Sequence, residues 1–235
     1  RRKFIDTIIS QLDKEYLNDL IYYNKVLTQR NALLRHFADS QTFDSQNLEL
    51  WDEQLVALGN RIYEKRKDFI ARFILLFRQH YVDISGGKEK VEISYESQLH
   101  HGDFLTQLRA MQRKDRAVEY TTVGTHKDEL VFEMDGKPVK KYGSQGQQKS
   151  LLVALRLSQF DIIKKTKGFD PILLLDDVYD KLDELRVRRL MEMVSSHHFG
   201  QIFITDASAE RIKKLFAGIK TELKIFKVKN GNVEV

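Results

Sequence analysis

The segment Pro171-Ile-Leu-Leu-Leu-Asp-Asp177 decides the fold prediction. Four aliphatic residues after a proline predict a short strand that is buried on both faces, as in the parallel sheets of α/β proteins. Open α/β sheets bind ligands beyond the carboxyl ends of their strands, and Asp176 and Asp177 lie at that end. In phosphate-hydrolysing enzymes one such carboxylate holds Mg²⁺ and another orients or deprotonates the attacking water. The alternative is that one aspartate only caps the following turn.

A second segment, Gly143-Ser-Gln-Gly-Gln147, starts a predicted helix that runs from about Gln145 to Lys165. Ser144 and Gln147 have the spacing of a capping box, and a helix cap alone would explain them. A helix N-terminus also offers free N–H groups and the positive end of the helix dipole to an anion. Because this helix directly precedes the acidic strand, the sequence favours a phosphate-binding role.

Two further polar positions follow in the same order along the chain. Asp183 precedes a predicted helix from Glu184 to Ser195, and Thr205 ends the predicted strand Gln201–Thr205. An apolar strand that ends in polar groups is suited to sensing a phosphate. Each position is weak evidence alone, because an aspartate before a helix is often only a cap.

Before residue 115 the pattern is helical. Apolar residues recur every seven positions, which keeps one stripe in register along a helix. The stripe residues are Leu20, Leu27, Leu34, Leu48, Leu55, Ile62, Phe69 and Leu76. Trp51 and Leu58 are expected to be their buried companions, three residues further on. The pattern predicts two long helices that fold back on each other.

Short strands are predicted around the helices of the second half. Asp135-Gly136 is a hairpin turn signal between the strands 129–134 and 138–140, because both turn residues tolerate positive φ. Residues 91–95 form another predicted strand, and 222–228 with 232–235 a terminal pair. Strands separated by helices imply a parallel sheet.

Composition excludes several classes of protein. The 235 residues are 42% hydrophobic and 31% charged, which is typical of a folded soluble chain rather than a disordered one. The net charge of +5 permits nucleic acid as a partner without requiring it. The absence of cysteine excludes disulfides and suits a reducing cytoplasm. The apolar runs are too short to span a membrane, so a cytoplasmic location is expected.

Taken together, the second-half segments resemble the head of ABC ATPases: a signature helix, a Walker B strand, a D-loop and a switch strand. More closely, the chain is similar to the RecF family of SMC-like ABC ATPases. The similarity extends over nearly the whole chain. It rests on Arg1-Arg-Lys-Phe-Ile-Asp6, Gln29-Arg-Asn-Ala-Leu-Leu34, Val123-Gly-Thr-His-Lys-Asp128, Ser144-Gln-Gly-Gln147, Ala154-Leu-Arg-Leu157, Ile172-Leu-Leu-Leu-Asp-Asp-Val178 and Leu182-Asp183.

The resemblance implies an α/β fold: an incomplete ABC-type ATPase head, with a parallel sheet and helices, plus a long antiparallel helical arm. Residues 1–9 would be a return segment of the head, 10–115 the arm domain (lobe II), and 116–235 the C-terminal part of the head. It further implies a protein that binds double-stranded DNA at gap junctions and forms a homodimer on ATP. Such a protein would work with RecR- and RecO-type mediators to load recombinase during DNA replication, recombination, repair and the SOS response.

Roles are carried over residue by residue. Asp176 would hold Mg²⁺, and Asp177 would act on the water as the catalytic residue. Five other residues are expected to serve ATP binding: Ser144, Gly146 and Gln147 of the signature helix, Asp183 of the D-loop and Thr205 of the switch. The three residues of the signature helix would reach the γ-phosphate of the ATP bound on the opposite subunit.

Three departures from the family pattern matter. Gly124-Thr-His-Lys-Asp128 stands where the family has Gly-Pro-His-Arg-Asp, so no role is assigned to His126. The switch has Thr205 where ABC transporters have histidine, as RecF-like proteins also do. No GxxxxGK[ST] loop for gripping ATP is found, so we expect that loop in a missing N-terminal segment of the same protein and expect this chain alone to be inactive.

Two other functions fit parts of the sequence. The chain could be a non-catalytic dimerisation or partner-binding module, which the missing loop favours. It could also be a metal-dependent nuclease built on Asp176 and Asp177, although that would need further carboxylates nearby.

Overall fold

Long helices alternate with short strands in the computed structural model, which describes residues 2–176, 182–196, 198–219 and 221–234. The helices are α1 (Arg2–Leu12), α2 (Lys14–Ser40), α3 (Ser45–Ser85), α4 (Phe104–Val118), α5 (Val139–Tyr142), α6 (Gln145–Lys167), α7 (Glu184–Val194) and α8 (Ala209–Phe216). The strands are β1 (Val91–Glu96), β2 (Glu129–Met134), β3 (Lys137–Pro138), β4 (Leu173–Leu175), β5 (Ile202–Ile204), β6 (Lys227–Lys229) and β7 (Asn232–Glu234). Among the described residues, no helix has the length and apolar character needed to cross a bilayer.

The chain divides into two compact units. The first consists of Arg1–Ile74 and Ile93–Val131, and the second of Leu75–Glu92 and Phe132–Val235. The domain boundaries drawn from the sequence at residues 10 and 116 rest on family resemblance, and they stay a prediction.

In the first unit α2 and α3 run antiparallel. Three ion pairs join the two helices. Residues that come later in α2 pair with residues that come earlier in α3, as antiparallel packing requires. The pairs are Asp13–Lys65 at 2.7 Å, Asp19–Arg61 at 2.7 Å and Arg30–Asp52 at 2.5 Å. Asp13 also caps α2 by accepting a hydrogen bond from the Tyr16 N–H at 2.9 Å, which fixes where the helix starts. The predicted pair of long helices is therefore present.

The stripe between these helices differs from the predicted one. Leu48, Leu55, Ile62 and Phe69 are buried as expected. Trp51 and Leu58 are only half-buried, and the fully enclosed companions lie four residues on instead of three. These companions are Asp52, Gly59, Arg66 and Phe73. The sequence pattern predicted the wrong set of companion residues, because an apolar pattern does not detect a buried set that contains two charged residues and a glycine.

Arg30 is fully buried on α2 and binds parts of the chain that are distant in sequence. Its guanidinium donates to Asp52 at 2.5 Å, to Asp115 of α4 at 2.8 Å and to the Thr121 hydroxyl at 2.9 Å. Burial raises the pKa of Asp52, and the hydrogen bond from Arg30 opposes that rise. Since a buried charge without partners is costly, these contacts specify how α2, α3 and α4 pack.

Arg66 of α3 is the second buried arginine. It donates to Asp6 of α1 at 3.0 and 3.1 Å, and to Asp128 and the Thr125 carbonyl, each at 2.7 Å. The Tyr16 hydroxyl donates to Asp6 at 2.6 Å and accepts from Arg66 at 3.0 Å. The family segment at 123–128 thus contributes Asp128 to a structural ion cluster.

His126, which received no role from the sequence, is also structural. Its Nε2 contacts the Thr121 carbonyl at 3.1 Å and its Nδ1 contacts the Tyr23 hydroxyl at 2.8 Å. A neutral ring satisfies both: Nε2–H donates to the carbonyl, and Nδ1 accepts from the tyrosine. Burial lowers the pKa of His126 to about 4, and the positive charge of Lys127 adds to the decrease. The hydrogen bond to the Thr121 backbone acts in the opposite direction but is weaker than burial.

In the second unit, α6 is followed by a parallel pair of strands. β4 and β5 pair in the register Leu173↔Ile202 to Leu175↔Ile204. The expectation that the aliphatic run is buried on both faces was wrong for the described residues. Leu173 is 7% exposed but Leu174 is 71% exposed, because strand side chains alternate and only one face is covered.

The hairpin and the terminal strands correct two smaller predictions. Asp135 and Gly136 have φ of 49° and 74°, which confirms the turn between β2 and β3. The second strand ends at Pro138, which precedes α5 instead of continuing to residue 140. Proline has no N–H to donate to a strand ladder. The terminal pair begins at Lys227 rather than at residue 222.

We expect Arg66→Met to lower the free energy of unfolding by about 3–5 kcal/mol, because it leaves Asp6 and Asp128 buried without their cation. Arg61→Met, five residues earlier on α3, removes a pair whose arginine is half exposed and should cost about 1 kcal/mol or less. Urea denaturation of both variants measures this. Equal losses in the free energy of unfolding would mean that the buried ion pairs of Arg66 contribute no more to stability than the exposed pair of Arg61.

The free energy of unfolding should also fall with acid in a way that depends on His126. Its folded pKa of about 4 lies below its unfolded value, so the contribution is complete above about pH 6.5 and is lost as the pH falls towards 4. The loss amounts to about 3 kcal/mol at most. Unfolding curves at pH 7.5 and 4.5 for the unsubstituted chain and His126→Gln test this. A loss that is the same in both would rule out His126 as its source.

Candidate functional site

The start of α6 has the predicted capping box. The Ser144 Oγ accepts a hydrogen bond from the Gln147 N–H at 3.2 Å, and the Gln147 Oε1 accepts one from the Ser144 N–H at 2.8 Å. The first N–H groups of a helix have no intrahelical acceptor, and this cap does not use those of Gln145 and Gly146. Ser144 is exposed, and the cap uses its oxygen as an acceptor only. The helix start can therefore still donate hydrogen bonds to an anion.

Gln147 is engaged at both ends of its side-chain amide. While its carbonyl oxygen completes the cap, its Nε2 donates to Glu89 at 3.1 Å. Gln147 therefore fixes the shape of the helix start in this structure, whereas Ser144 keeps a hydroxyl proton that the cap does not require.

Glu89, between α3 and β1, is the centre of a larger network. Arg186 of α7 donates to both of its carboxylate oxygens, at 2.5 and 3.3 Å, and the Tyr81 hydroxyl donates to it at 2.6 Å. Burial raises the pKa of Glu89, but the hydrogen bonds from Arg186, Tyr81 and Gln147 outweigh burial and leave the pKa below its usual value. Glu89 is therefore an anion at neutral pH.

Asp183 begins α7 as its N-cap. Its side chain accepts from the Arg186 N–H at 2.9 Å and from the Arg186 Nε at 3.0 Å. The backbone hydrogen bond, reinforced by the arginine charge, lowers the pKa of Asp183. The capping role that the sequence allowed is present. Arg186 also places Asp183 in the same network as Gln147.

Asp176 and Thr205 form a second group at the carboxyl ends of two paired strands. The register of β4 and β5 places them side by side, and the Thr205 hydroxyl donates a short hydrogen bond to Asp176. The Thr205 N–H also donates to the Leu175 carbonyl at 3.0 Å, which extends the ladder to the edge of the site. The predicted Walker B and switch positions are thus neighbours.

Asp177, the predicted catalytic residue, lies outside the described residues, as do 178–181. The other six predicted site residues fall into the two groups above. Gln147 and Asp183 are linked through Glu89 and Arg186. Ser144 joins this group through Gln147, and the Gly146 carbonyl joins it through the Ser150 hydroxyl, which Arg186 contacts. Asp176 with Thr205 forms the strand-end group.

The donor set at the strand ends suits Mg²⁺. Asp176 is exposed and offers carboxylate oxygens, and Thr205 offers a hydroxyl oxygen beside it. Mg²⁺ binds hard oxygen ligands and keeps several waters, so one carboxylate on a protein edge is sufficient when phosphate oxygens complete the shell. Within the described parts of the chain, no group of three or more histidine, aspartate or glutamate residues could hold a metal by itself.

Sequence reasoning missed Tyr81, Glu89, Ser150 and Arg186. In the sequence, Arg186 and Arg188 are two arginines of the same predicted helix, with no feature that distinguishes their surroundings. The structure separates them: Arg188 is exposed and pairs with Glu192 at 3.0 Å, whereas Arg186 is largely buried. The spacing of Asp183 and Arg186 is the only local signal of a pair. Nothing near Glu89 indicates its partners.

The fold is similar to solved structures. A structure of the recombination mediator protein RecF-ATP of the RecFOR pathway matches 100% of this chain, over 62% of that protein's own length. The TM-score is 0.78 and the sequence identity 28%. This match confirms the predicted fold class, an incomplete ABC-type ATPase head with a helical arm. No protein-family model matches the chain.

Curated relatives are more similar in sequence. The DNA replication and repair protein RecF of Flavobacterium johnsoniae is 52% identical over 226 residues, which cover 96% of this chain and 63% of the relative. The protein of the same name from Phocaeicola vulgatus is 46% identical over 234 residues, covering 99% of this chain and 62% of the relative. The chain thus spans somewhat less than two thirds of these relatives, and over that part it is similar to proteins named RecF.

Proposed function

We propose that this chain is part of a RecF-type ATP-dependent DNA-binding protein that acts in recombinational repair. The observation that carries the proposal is the capping-box start of α6, which leaves the Ser144 hydroxyl and two N–H groups for an anion. Similarity to proteins named for DNA replication and repair, and to a RecF structure with ATP, supports ATP as the source of that anion.

The helix start would act on ATP bound to another copy of the protein. Ser144 would donate to the γ-phosphate through its hydroxyl, and Gly146 through its backbone N–H. Gln147 would hold the cap in shape, and Asp183 would lie at the facing D-loop. The positive end of the α6 dipole favours the phosphate charge. Because these groups meet the nucleotide only across a dimer, ATP would promote homodimerisation.

The strand-end group would support hydrolysis. Asp176 would hold Mg²⁺, which screens the charge of the phosphates when it is bound with ATP. Thr205 orients the Asp176 carboxylate through its hydroxyl hydrogen bond. Asp177, next in sequence, would orient the attacking water and take its proton. The loop that grips ATP would come from the rest of the protein.

The proposed partners are those of the whole protein. Double-stranded DNA at gap junctions would be bound in the ATP-dependent dimer, and RecR- and RecO-type mediators would act with it to load recombinase. The naming of the RecFOR pathway in the matched structures supports these partners. The proposed location is the cytoplasm, where such DNA is found in bacteria.

Ser144→Arg, in a full-length RecF protein that contains this chain, should abolish ATP-driven dimerisation while each subunit still binds ATP. A bulky cation at the helix start opposes the dipole and fills the space that the phosphate needs. Sedimentation with Mg²⁺ and a non-hydrolysable ATP analogue measures the dimer. If the variant dimerises as well as the unsubstituted protein, Ser144 is only a cap and the non-catalytic module becomes the better interpretation.

Two controls separate the cap from the phosphate contact. Ser144→Asp keeps a good N-cap but places a negative charge where the γ-phosphate would lie, so it should retain stability and lose dimerisation. Ser208 caps α8 in the same way, accepting from the Arg211 N–H at 3.3 Å. Ser208→Arg should therefore lower stability by about 1 kcal/mol and leave dimerisation unchanged.

Asp177→Asn in the full-length protein should reduce ATP turnover by about 100-fold or more while ATP binding is retained, because the group that takes the proton from water is lost. Phosphate release and binding of a fluorescent ATP analogue measure the two properties. Asp170→Asn is the matched control, since Asp170 is a half-exposed residue before the same strand. Turnover near normal in Asp177→Asn would contradict the assignment.

A further inference from the structure

The ion pair between Glu89 and Arg186 is largely shielded from water. Their side chains are 13% and 14% exposed, and the closest approach is 2.5 Å. Both residues belong to the second compact unit, and neither is one of the residues assigned to ATP. Shielded ion pairs of this kind contribute little net stability compared with apolar packing. Stability alone therefore does not explain why Glu89 and Arg186 are paired at this position.

The pair joins two helix starts. On one side, Glu89 accepts from the Gln147 amide at 3.1 Å, and Arg186 donates to the buried Ser150 hydroxyl at 2.8 Å. Gln147 and Ser150 lie in the first two turns of α6. On the other side, Arg186 lies in the first turn of α7 and donates to its N-cap, Asp183, at 3.0 Å.

Every nitrogen of the Arg186 guanidinium is used in this arrangement. Nε contacts Asp183, Nη1 contacts Ser150 and Glu89, and Nη2 contacts Glu89. The guanidinium is planar and its donors have fixed directions, so simultaneous contacts define one relative orientation of the groups around it. The Tyr81 hydroxyl donates to the Glu89 Oε2 at 2.6 Å, the oxygen that Nη1 also contacts.

We propose that Glu89 and Arg186 are positioning residues, which hold the Ser144 end of α6 and the Asp183 end of α7 in the one geometry that engages a nucleotide across the dimer. The inference rests on the proposed function and goes beyond it, because it names two residues that touch no ligand. Loss of the pair would leave each helix start intact through its own cap, but the two would no longer be held together. ATP-driven dimerisation would then weaken although each subunit binds ATP normally.

Arg186→Lys tests the proposal in the full-length protein. Lysine keeps the charge and can pair with Glu89, but it cannot reach Ser150, Asp183 and both Glu89 oxygens at once. The dimer dissociation constant with Mg²⁺ and a non-hydrolysable ATP analogue should rise about 10-fold, in the range found for coupled polar networks. ATP affinity, measured at protein concentrations too low for dimers, should stay within about 2-fold, and the melting temperature should change little.

Glu89→Gln and the double variant sharpen the test. If the pair acts as a unit, Glu89→Gln weakens dimerisation similarly and the double variant is no weaker than either single one. Additive effects would overturn the proposal. So would a loss of folding in all three variants, because the pair would then act on stability only. Arg188→Gln, which breaks an exposed pair on the same helix, should leave dimerisation unchanged.

The outcomes also separate this inference from the proposed function. If the unsubstituted protein does not dimerise with the ATP analogue, the proposed function fails. If it dimerises, and Arg186→Lys and Glu89→Gln dimerise equally well, the proposed function stands and the positioning role of the pair is wrong.

Discussion

The structure depends on the cost of taking an arginine out of water. A guanidinium stays charged at every accessible pH, so a buried one has to meet carboxylates in good geometry. Arg30 meets this requirement with Asp52 and Asp115, and Arg66 with Asp6 and Asp128. In both cases the acids come from different segments of the first unit. Apolar stripes bring α2 and α3 together, and the arginines then select one packing among the many that such stripes would allow.

The same chemistry recurs in the second unit, with a different consequence. Arg186 is shielded rather than fully buried, and its acids, Glu89 and Asp183, lie beside helix starts instead of inside a core. Each helix start is already capped locally, by Ser144 or by Asp183. Arg186 adds contacts that fix the orientation of one helix start relative to the other. An interaction that specifies packing in one unit thus joins, in the other, the starts of two helices.

Sequence patterns predicted those elements that are determined by interactions between residues close together in the chain. The turn at Asp135-Gly136 and the capping box at Ser144 both depend on residues a few positions apart, and both were found. The positions of Arg66 and Arg186 could not be predicted in this way. Their partners are up to 97 residues away in sequence, and an isolated arginine on a helix face looks the same whether it meets water or a carboxylate. Family resemblance supplied the site roles but not the network that holds the site.

The short parallel pair of β4 and β5 has a practical consequence. Ile172, Leu174 and Phe203 are 60%, 71% and 47% exposed, and they lie on or next to two adjacent strands. An open strand edge flanked by uncovered apolar side chains is a template for pairing with other chains. In concentrated solution this surface would favour self-association into oligomers and precipitates unless a folded neighbour covers it. These three side chains therefore add an association-prone surface to the chain, apart from the residues of the candidate site.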